Sequence, residues 1–118
     1  MILVVGSEGS GKLDFVKSLG YSEAQIADGT VDDRSVVYHL EKIVFRNSAY
    51  ADELLPELLK KEVVICCEVG SGVIPALRSD RLGREATGRL CILLARQAEA
   101  VVRMVCGIPQ LIKGQLPE

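Results

Sequence analysis

Apolar and polar positions follow two distinct patterns along the chain. Short unbroken apolar runs predict strands buried in a sheet, and apolar residues spaced three or four apart predict helices. The predicted strands cover residues 2–5, 24–27, 35–40, 62–67 and 100–106, with a short edge strand at 111–113. The predicted helices cover residues 12–19, 50–61 and 79–98. This alternation predicts an α/β fold with a mostly parallel sheet and helices on both faces.

Pro56 falls inside the second predicted helix, where a proline either starts the helix or kinks it. The third predicted helix is the longest and has an apolar stripe that we expect to face the core. The stripe consists of Leu82, Ala86, Leu90, Leu93 and Leu94.

The length and the charge of the chain narrow the class of protein. Its 118 residues, 48% hydrophobic and 25% charged, fit one domain that spans residues 1–118. A formal net charge of −2 disfavours a protein that binds nucleic acid without sequence preference, since such proteins present a basic surface. No apolar run has the length of a membrane span or of a signal sequence, so we expect a cytoplasmic protein.

A glycine-rich segment, called the glycine loop below, follows the first predicted strand. It reads Gly6-Ser7-Glu8-Gly9-Ser10-Gly11-Lys12-Leu13 and fits the pattern GxxxxGK. Glycines let successive backbone N–H groups turn inward around a phosphate, and the following helix points its positive end at the same anion. Lys12 adds a point charge for the terminal phosphates. The loop therefore predicts nucleotide binding; the alternative is an ordinary glycine-rich turn with a surface lysine.

Two residues of the glycine loop weaken the expectation of catalysis. Leu13 stands where Ser or Thr normally supplies the hydroxyl that holds magnesium. Glu8 brings a negative charge close to the expected phosphates, which is tolerable only if its side chain points outward. Ser10, Asp14 and Glu41 are possible substitutes for the missing hydroxyl, so the sequence leaves the metal ligands open.

Further candidates lie where predicted strands end. Ligands of parallel α/β sheets bind beyond the carboxyl ends of the strands, and Gly6, Glu41 and Glu68 all fall at such ends. Glu41 could bind magnesium or orient an attacking hydroxyl; the alternative is a solvated residue at a strand end. His39 is the only histidine and falls within the third predicted strand. We therefore interpret it as a core or half-buried residue rather than a nucleophile.

Arginines recur at the start of the third predicted helix. Arg78, Arg81 and Arg84 are three residues apart, so they are neighbours on one helical face. A row of guanidinium groups beside a phosphate-binding loop suits the recognition of an anion. The alternative is a solvated basic face paired with Glu85 or Asp80.

The second half of the chain contains a longer motif. It reads Glu68-Val69-Gly70-Ser71-Gly72-Val73-Ile74-Pro75, followed by the three arginines and by Gly88-Arg89. Together with the glycine loop and the closing residues 105–113, this motif resembles the adenosylcobinamide kinase / adenosylcobinamide-phosphate guanylyltransferase family of cobalamin biosynthesis. The similarity runs without gaps from Glu68 to about Lys113.

The resemblance implies a P-loop α/β sheet related to that of RecA-like proteins, and it implies an activity. The family phosphorylates the aminopropanol hydroxyl of adenosylcobinamide with a nucleoside triphosphate. It then attaches GMP from GTP through a guanylylated histidine. Family members are cytoplasmic and oligomeric, so the resemblance also implies a homo-oligomer.

The same resemblance suggests roles for particular residues. Lys12 and Glu41 would be catalytic, and the whole glycine loop would bind the nucleotide, with Mg²⁺ and ATP or GTP as the expected cofactors. The expected residues for substrate or anion binding are Glu68, Gly70, Gly72, Arg78, Arg81 and Arg84. Glu41 matches an acidic residue of the family within a Leu-Glu-x-Ile pattern.

The chain departs from the family in its middle. It is much shorter than a typical member, and only residues 29–34 separate the second and third predicted strands. In the family that region carries the guanylylated histidine, so the role is not transferred to His39. We therefore expect guanylyl transfer to be absent, as in a shortened and partly degenerate member.

Three hypotheses remain. The first is a kinase that phosphorylates a cobinamide alcohol. The second is a degenerate paralogue that binds nucleotide or a corrinoid in a regulatory or scaffolding role, which Leu13 and the missing histidine favour. The third is a structural subunit with a vestigial glycine loop.

Overall fold

The protein forms an α/β structure, seen here in a computed structural model that describes residues 1–68 and 78–116, with the backbone alone at 78–80. Six strands within these residues form one sheet in the order β2-β3-β4-β1-β5-β6. They are β1 Ile2–Gly6, β2 Ile26–Asp28, β3 Val36–Tyr38, β4 Val63–Cys67, β5 Ala100–Val105 and β6 Ile108–Gly114. The first five strands run parallel, and β6 pairs antiparallel with β5 at the edge.

Strand β1 lies in the middle of the sheet. Gly6 at its end is level with Cys67 of β4 and with Met104 of β5. Leu3 and Val4 point to opposite faces and are both buried, so β1 contributes to the core on each side of the sheet. An unbroken apolar run is the sequence signature of such a strand.

Helices cover both faces of the sheet. The helix α1 Lys12–Ser18 packs on one face through Val16. The other three, α2 Leu40–Arg46, α3 Leu55–Leu59 and α4 Arg78–Gln97, pack on the opposite face, and buried leucines on each of them contact the sheet. Short 3₁₀ helices precede β2 at Glu23–Gln25 and α3 at Ser48–Leu54. The fold class, the mostly parallel sheet and the helices on both faces are thus confirmed.

The connection between β2 and β3 has no helix. Parallel neighbours usually need a crossover of a dozen or more residues, but residues 29–35 suffice here because each strand has only three residues. Val31 packs into the core, and Arg34 donates from its guanidinium to the Ile26 carbonyl at 3.1 Å. The Arg34 guanidinium also holds the pKa of Asp32 down at about 2 through hydrogen bonds. A compact turn without a helix therefore connects β2 to β3.

Several predicted elements need correction. The strand predicted at 35–40 ends at Tyr38, and Leu40 already belongs to α2, a helix that the apolar pattern did not indicate. His39 is therefore outside the strand. The strand predicted at 24–27 is shifted to Ile26–Asp28 because residues 23–25 form a 3₁₀ turn. The edge strand is longer than residues 111–113, because antiparallel pairing with β5 extends along its whole length.

The structure also tests the predictions made for the second and third helices. The helix predicted at 50–61 divides into the 3₁₀ segment and α3, and Pro56 lies in the first turn of α3, where the missing N–H costs little. In α4 the predicted stripe holds for Ala86, Leu90 and Leu94, which are buried. The prediction that Leu82 faces the core is wrong, because this residue is 43% exposed at the start of the helix. No helix within the described residues has the length and apolar character that crossing a bilayer requires.

The buried stripe of α4 gives a first test of this fold. We expect Leu90→Ala to lower the free energy of unfolding by about 2–5 kcal/mol, since Leu90 is fully buried between α4 and the sheet. The control Ile92→Ala, two residues away and 55% exposed, should change it by less than about 0.5 kcal/mol. Urea denaturation measures both values, and equal losses for the two variants would contradict this packing.

Candidate functional site

A cleft of about 210 Å³ opens where the carboxyl ends of β1, β3 and β4 meet. The residues that line it are Glu8, Gly9, Lys12, Tyr38, His39, Glu41, Lys42 and Cys67. They come from the glycine loop, from the β3–α2 junction and from the end of β4. The structure therefore brings the predicted catalytic pair, Lys12 and Glu41, into one cavity.

The glycine loop has the backbone conformation that its glycines permit. Gly9 and Gly11 have φ angles of 74° and 94°, in the left-handed region that residues with a Cβ rarely adopt. Ser10 donates its N–H to the Ser7 carbonyl at 3.1 Å, which closes the turn. Within the described part of the chain, the N–H groups of Gly9, Gly11 and Lys12 have no hydrogen-bond partner. Such unpaired amides at the start of a helix are what an anion requires.

Lys12 folds back over the loop. Its ammonium donates to the Ser7 carbonyl at 2.7 Å, and the residue is only 7% exposed. The long side chain is thus held beside the unpaired amides instead of extending into solvent. Glu8 is exposed, as its tolerance beside phosphates requires. Lys12 is thus not the surface lysine of the ordinary-turn alternative, while nucleotide binding itself stays a prediction.

Close packing fixes the position of the glycine loop. A Cβ at Gly6 would lie 2.5 Å from the Ser10 Oγ and 2.9 Å from the Met104 carbonyl oxygen, so β1 must end in glycine. The Ser10 hydroxyl is buried and has no hydrogen-bond partner within the described residues. Gly107, in the turn between β5 and β6, donates its N–H to the Ser10 carbonyl at 2.9 Å. No local sequence pattern indicates this hydrogen bond, because it joins residues far apart in the chain.

Leu13 lies away from the cleft. It packs against the core under α1 and lines a separate hollow of about 190 Å³ with Ile26 and Tyr38. The Leu13 side chain therefore makes a hydrophobic contact. It supplies no oxygen ligand, whereas Ser or Thr at this position would supply one. Across the described segments, no group of three or more His, Cys, Asp or Glu side chains could hold a metal ion.

Glu41 lies in the first turn of α2 and not directly at the end of a strand. Its Oε1 accepts a hydrogen bond from the Cys67 N–H at 2.9 Å, which ties α2 to the end of β4. A carboxylate in the first turn of a helix is also favoured by the helix dipole. Glu41 is therefore half-buried and hydrogen-bonded at the start of a helix, not solvated at the end of a strand, and its catalytic role stays a prediction.

His39 and Asp28 form a pair that the sequence did not reveal. His39 has φ 59° and ψ 49°, and its Nδ1 lies 2.6 Å from the Asp28 Oδ1. Its ring stacks on Tyr38 with ring centroids 3.7 Å apart. Asp28 is level with Tyr38 in the pairing of β2 with β3, so the sheet register creates the contact. Only knowledge of that register could have predicted it.

The cleft is an electrostatically mixed environment. The pKa of Tyr38 is raised, first by burial and then by the negative charges of Asp28 and Glu41. The pKa of Cys67 is also raised by burial, and the nearby Lys12 ammonium opposes this effect. Both groups therefore stay protonated and neutral at pH 7.

A comparison with protein families identifies this architecture. The model of the family described as cobinamide kinase / cobinamide phosphate guanyltransferase matches residues 34–112, which are 79 of the 118 residues. The chain belongs to this family. The family acts in cobalamin biosynthesis, and the match includes Glu41, Glu68 and the arginine row but begins after the glycine loop. Comparison with curated proteins finds no match.

Glu68 stands at the beginning of the family motif and beside the cleft. Its N–H donates to the Gly6 carbonyl at 2.7 Å, so it extends the pairing of β4 with β1. Its carboxylate accepts two hydrogen bonds from Arg103 of β5, the shorter at 2.7 Å. This contact raises the pKa of the Arg103 guanidinium. A substrate that binds Glu68 must therefore share the carboxylate with Arg103 or displace it.

The structure describes only some of the other residues that were predicted to bind substrate. Arg78, Arg81 and Arg84 lie in the first two turns of α4; Arg81 is exposed and Arg84 is half-buried. Gly70 and Gly72 lie outside the described residues. The next arginine along the helix, Arg89, pairs with Asp52 at 3.4 Å. The role of the row in anion binding stays a prediction.

The link between α2 and β4 generates a second test. We expect Glu41→Ala to lower the free energy of unfolding by about 1–3 kcal/mol, because the Cys67 N–H loses its acceptor. Glu41→Gln keeps an acceptor oxygen at the same place and should lose clearly less. Equal destabilisation by the two substitutions in urea denaturation would show that the hydrogen bond is unimportant.

Proposed function

We propose that this family member transfers the terminal phosphoryl group of Mg²⁺-bound ATP or GTP to the aminopropanol hydroxyl of adenosylcobinamide. The observation that carries the proposal is the glycine loop, which combines amides unpaired within the described residues with the buried side chain of Lys12. Membership in a family of cobinamide kinases supplies the acceptor. We expect the second activity of the family, guanylyl transfer, to be absent from this protein.

The residues of the cleft divide the work of such a transfer. The amides of Gly9, Gly11 and Lys12 would bind phosphate oxygens, and the Lys12 ammonium would leave the Ser7 carbonyl to neutralise charge on the transferred group. Glu41 lines the cleft while Cys67 holds its carboxylate, so we assign it to positioning the substrate. Catalysis of this kind rests mostly on position and charge.

Magnesium enters this proposal as part of the nucleotide substrate. Leu13 supplies no oxygen, and the exposed Glu8 and the engaged Glu41 are the carboxylates that line the cleft. Phosphate oxygens and water can supply most of the six ligands that Mg²⁺ prefers. The donor set of the cleft thus fits a metal that arrives on the triphosphate.

We extend the proposal to a homo-oligomer. The edge strand β6 is exposed along its whole length, and Ile108 and Ile112 are 67% and 58% exposed. The outer edge of such a strand offers backbone groups to another chain, and β6 adds exposed apolar side chains, although Pro109 and Lys113 limit this pairing. Light scattering that gives the mass of a single chain would remove this part of the proposal.

A binding protein without catalysis is the second candidate, and Leu13 is the observation that favours it. In that case the protein binds nucleotide or a corrinoid and regulates or supports a partner. The kinase and a binding protein for nucleotide both require the glycine loop to bind nucleotide, and they differ in whether product forms.

Lys12 provides the test of the proposal. We expect Lys12→Ala to reduce phosphorylation of adenosylcobinamide by 10²-fold or more, since it removes the charge at the transferred phosphoryl group. The control Lys17→Ala lies on the same helix, where Lys17 pairs with the exposed Glu23, and should keep full activity. The assay contains labelled ATP or GTP with magnesium, and circular dichroism confirms that both variants fold.

The outcomes of this assay separate the two candidates. Nucleotide at 100 times its dissociation constant should stabilise the wild-type protein by about 2.7 kcal/mol and Lys12→Ala by much less. Stabilisation of the wild type without any product would contradict the kinase and support the binding protein. Product that appears only in Leu13→Ser would identify the missing hydroxyl as the cause.

A further inference from the structure

His39 occupies a conformation that the chain holds at some cost. It joins β3 directly to α2 with φ 59° and ψ 49°, a left-handed backbone that costs a residue with a Cβ about 1 kcal/mol or more. This conformation places the imidazole at the cleft, against the ring of Tyr38. Strained residues of this kind concentrate at functional sites.

Asp28 determines the orientation of the imidazole. The distance of 2.6 Å between the Asp28 Oδ1 and the His39 Nδ1 is that of a short charge-assisted hydrogen bond. An ionised carboxylate can only accept, so Nδ1 is the nitrogen that carries the proton. In the neutral imidazole, Nε2 then keeps a lone pair. No hydrogen-bond partner for Nε2 occurs among residues 1–68 and 81–116.

The cleft contains both signs of charge around this nitrogen. Asp28 lies on β2, and Glu8 and Glu41 add negative charge from the glycine loop and from α2. Lys12 on α1 and Lys42 on α2 add positive charge, and Tyr38 and Cys67 are neutral neighbours. Two carboxylates that line the cleft could also take a proton, but Glu8 is exposed and the Glu41 Oε1 already accepts from the Cys67 N–H. His39, whose ring is held by Asp28 and Tyr38, is therefore the best placed base of the three.

We propose that His39 is a catalytic residue whose Nε2 accepts the proton of the attacking hydroxyl, and that Asp28 is its positioning residue. This inference rests on the proposed phosphoryl transfer. The hydroxyl oxygen forms a bond to the γ-phosphorus while the bond from that phosphorus to the β-bridging oxygen breaks. The hydroxyl proton moves to Nε2, the leaving group is the nucleoside diphosphate, and the imidazolium later releases the proton to water.

The backbone at His39 makes an unusually clean variant available. His39→Gly removes the imidazole and relieves the left-handed strain, because glycine adopts this conformation freely, so the variant should fold. We expect kcat to fall 10²–10⁴-fold, the usual contribution of a general base, while KM for adenosylcobinamide changes less than about threefold. Added imidazole should restore part of kcat in His39→Gly and should leave Lys12→Ala unchanged.

Asp28→Asn tests the positioning role. We expect a smaller loss of kcat than in His39→Gly, since the imidazole remains but its tautomer is no longer fixed. The matched control is Asp52→Asn, which removes an exposed carboxylate paired with Arg89 on a distant surface and should keep full activity. Because His39 is the only histidine, nitrogen-15 NMR reads its tautomer without assignment: Nδ1 protonated in the wild type, and a mixture in Asp28→Asn.

Each result has a definite meaning. An active wild type with an equally active His39→Gly would overturn the role of His39 and leave the proposed kinase intact. A phosphoryl or guanylyl group covalently attached to His39 would also overturn it, because Nε2 would then be a nucleophile. A wild type that binds nucleotide but forms no product would overturn the kinase and the base together. Loss of kcat with rescue by imidazole supports the inference.

Discussion

The parallel pairing of β1 with β4 and β5 is the constraint on which the site depends. It places Gly6, Cys67 and Met104 at one level at the carboxyl edge of the sheet. The N–H of Glu68 then continues the pairing by one residue to the Gly6 carbonyl. Both faces of β1 are buried, and a Cβ at Gly6 would lie 2.9 Å from the Met104 carbonyl oxygen. The packing of β1 and the glycine at its end therefore set the position at which the glycine loop begins.

From that level, contacts between distant residues organise the cleft. The turn between β5 and β6 holds the loop through the bond from Gly107 to Ser10. Glu41 ties α2 to Cys67, and Asp28 ties β2 to His39. Every one of these contacts joins neighbouring strands or their extensions, so the site is a property of the sheet and not of a single motif. These contacts hold the residues around Lys12 in place, so that its side chain can fold over the glycine loop.

Much of this fold could be predicted from the sequence, since strands buried on both faces leave unbroken apolar runs such as residues 63–67. The turn of the glycine loop could also be predicted, because its conformation depends on local glycines. The helix α2 could not be predicted, since it has only seven residues and begins where His39 changes the backbone direction. The pairs Asp28–His39 and Glu68–Arg103 required the strand register, which no local pattern contains.

The connection between β2 and β3 shows how a short segment contributes to the site. Residues 29–35 return from β2 to β3 without a helix. Arg34 holds this turn through its bond to the Ile26 carbonyl, and Val31 packs against the core. The parallel pairing puts Asp28 level with Tyr38, so that the Nδ1 of His39, the next residue, lies 2.6 Å from the Asp28 carboxylate. The pair from which a general base is proposed thus depends on the pairing of two three-residue strands and not on the glycine loop.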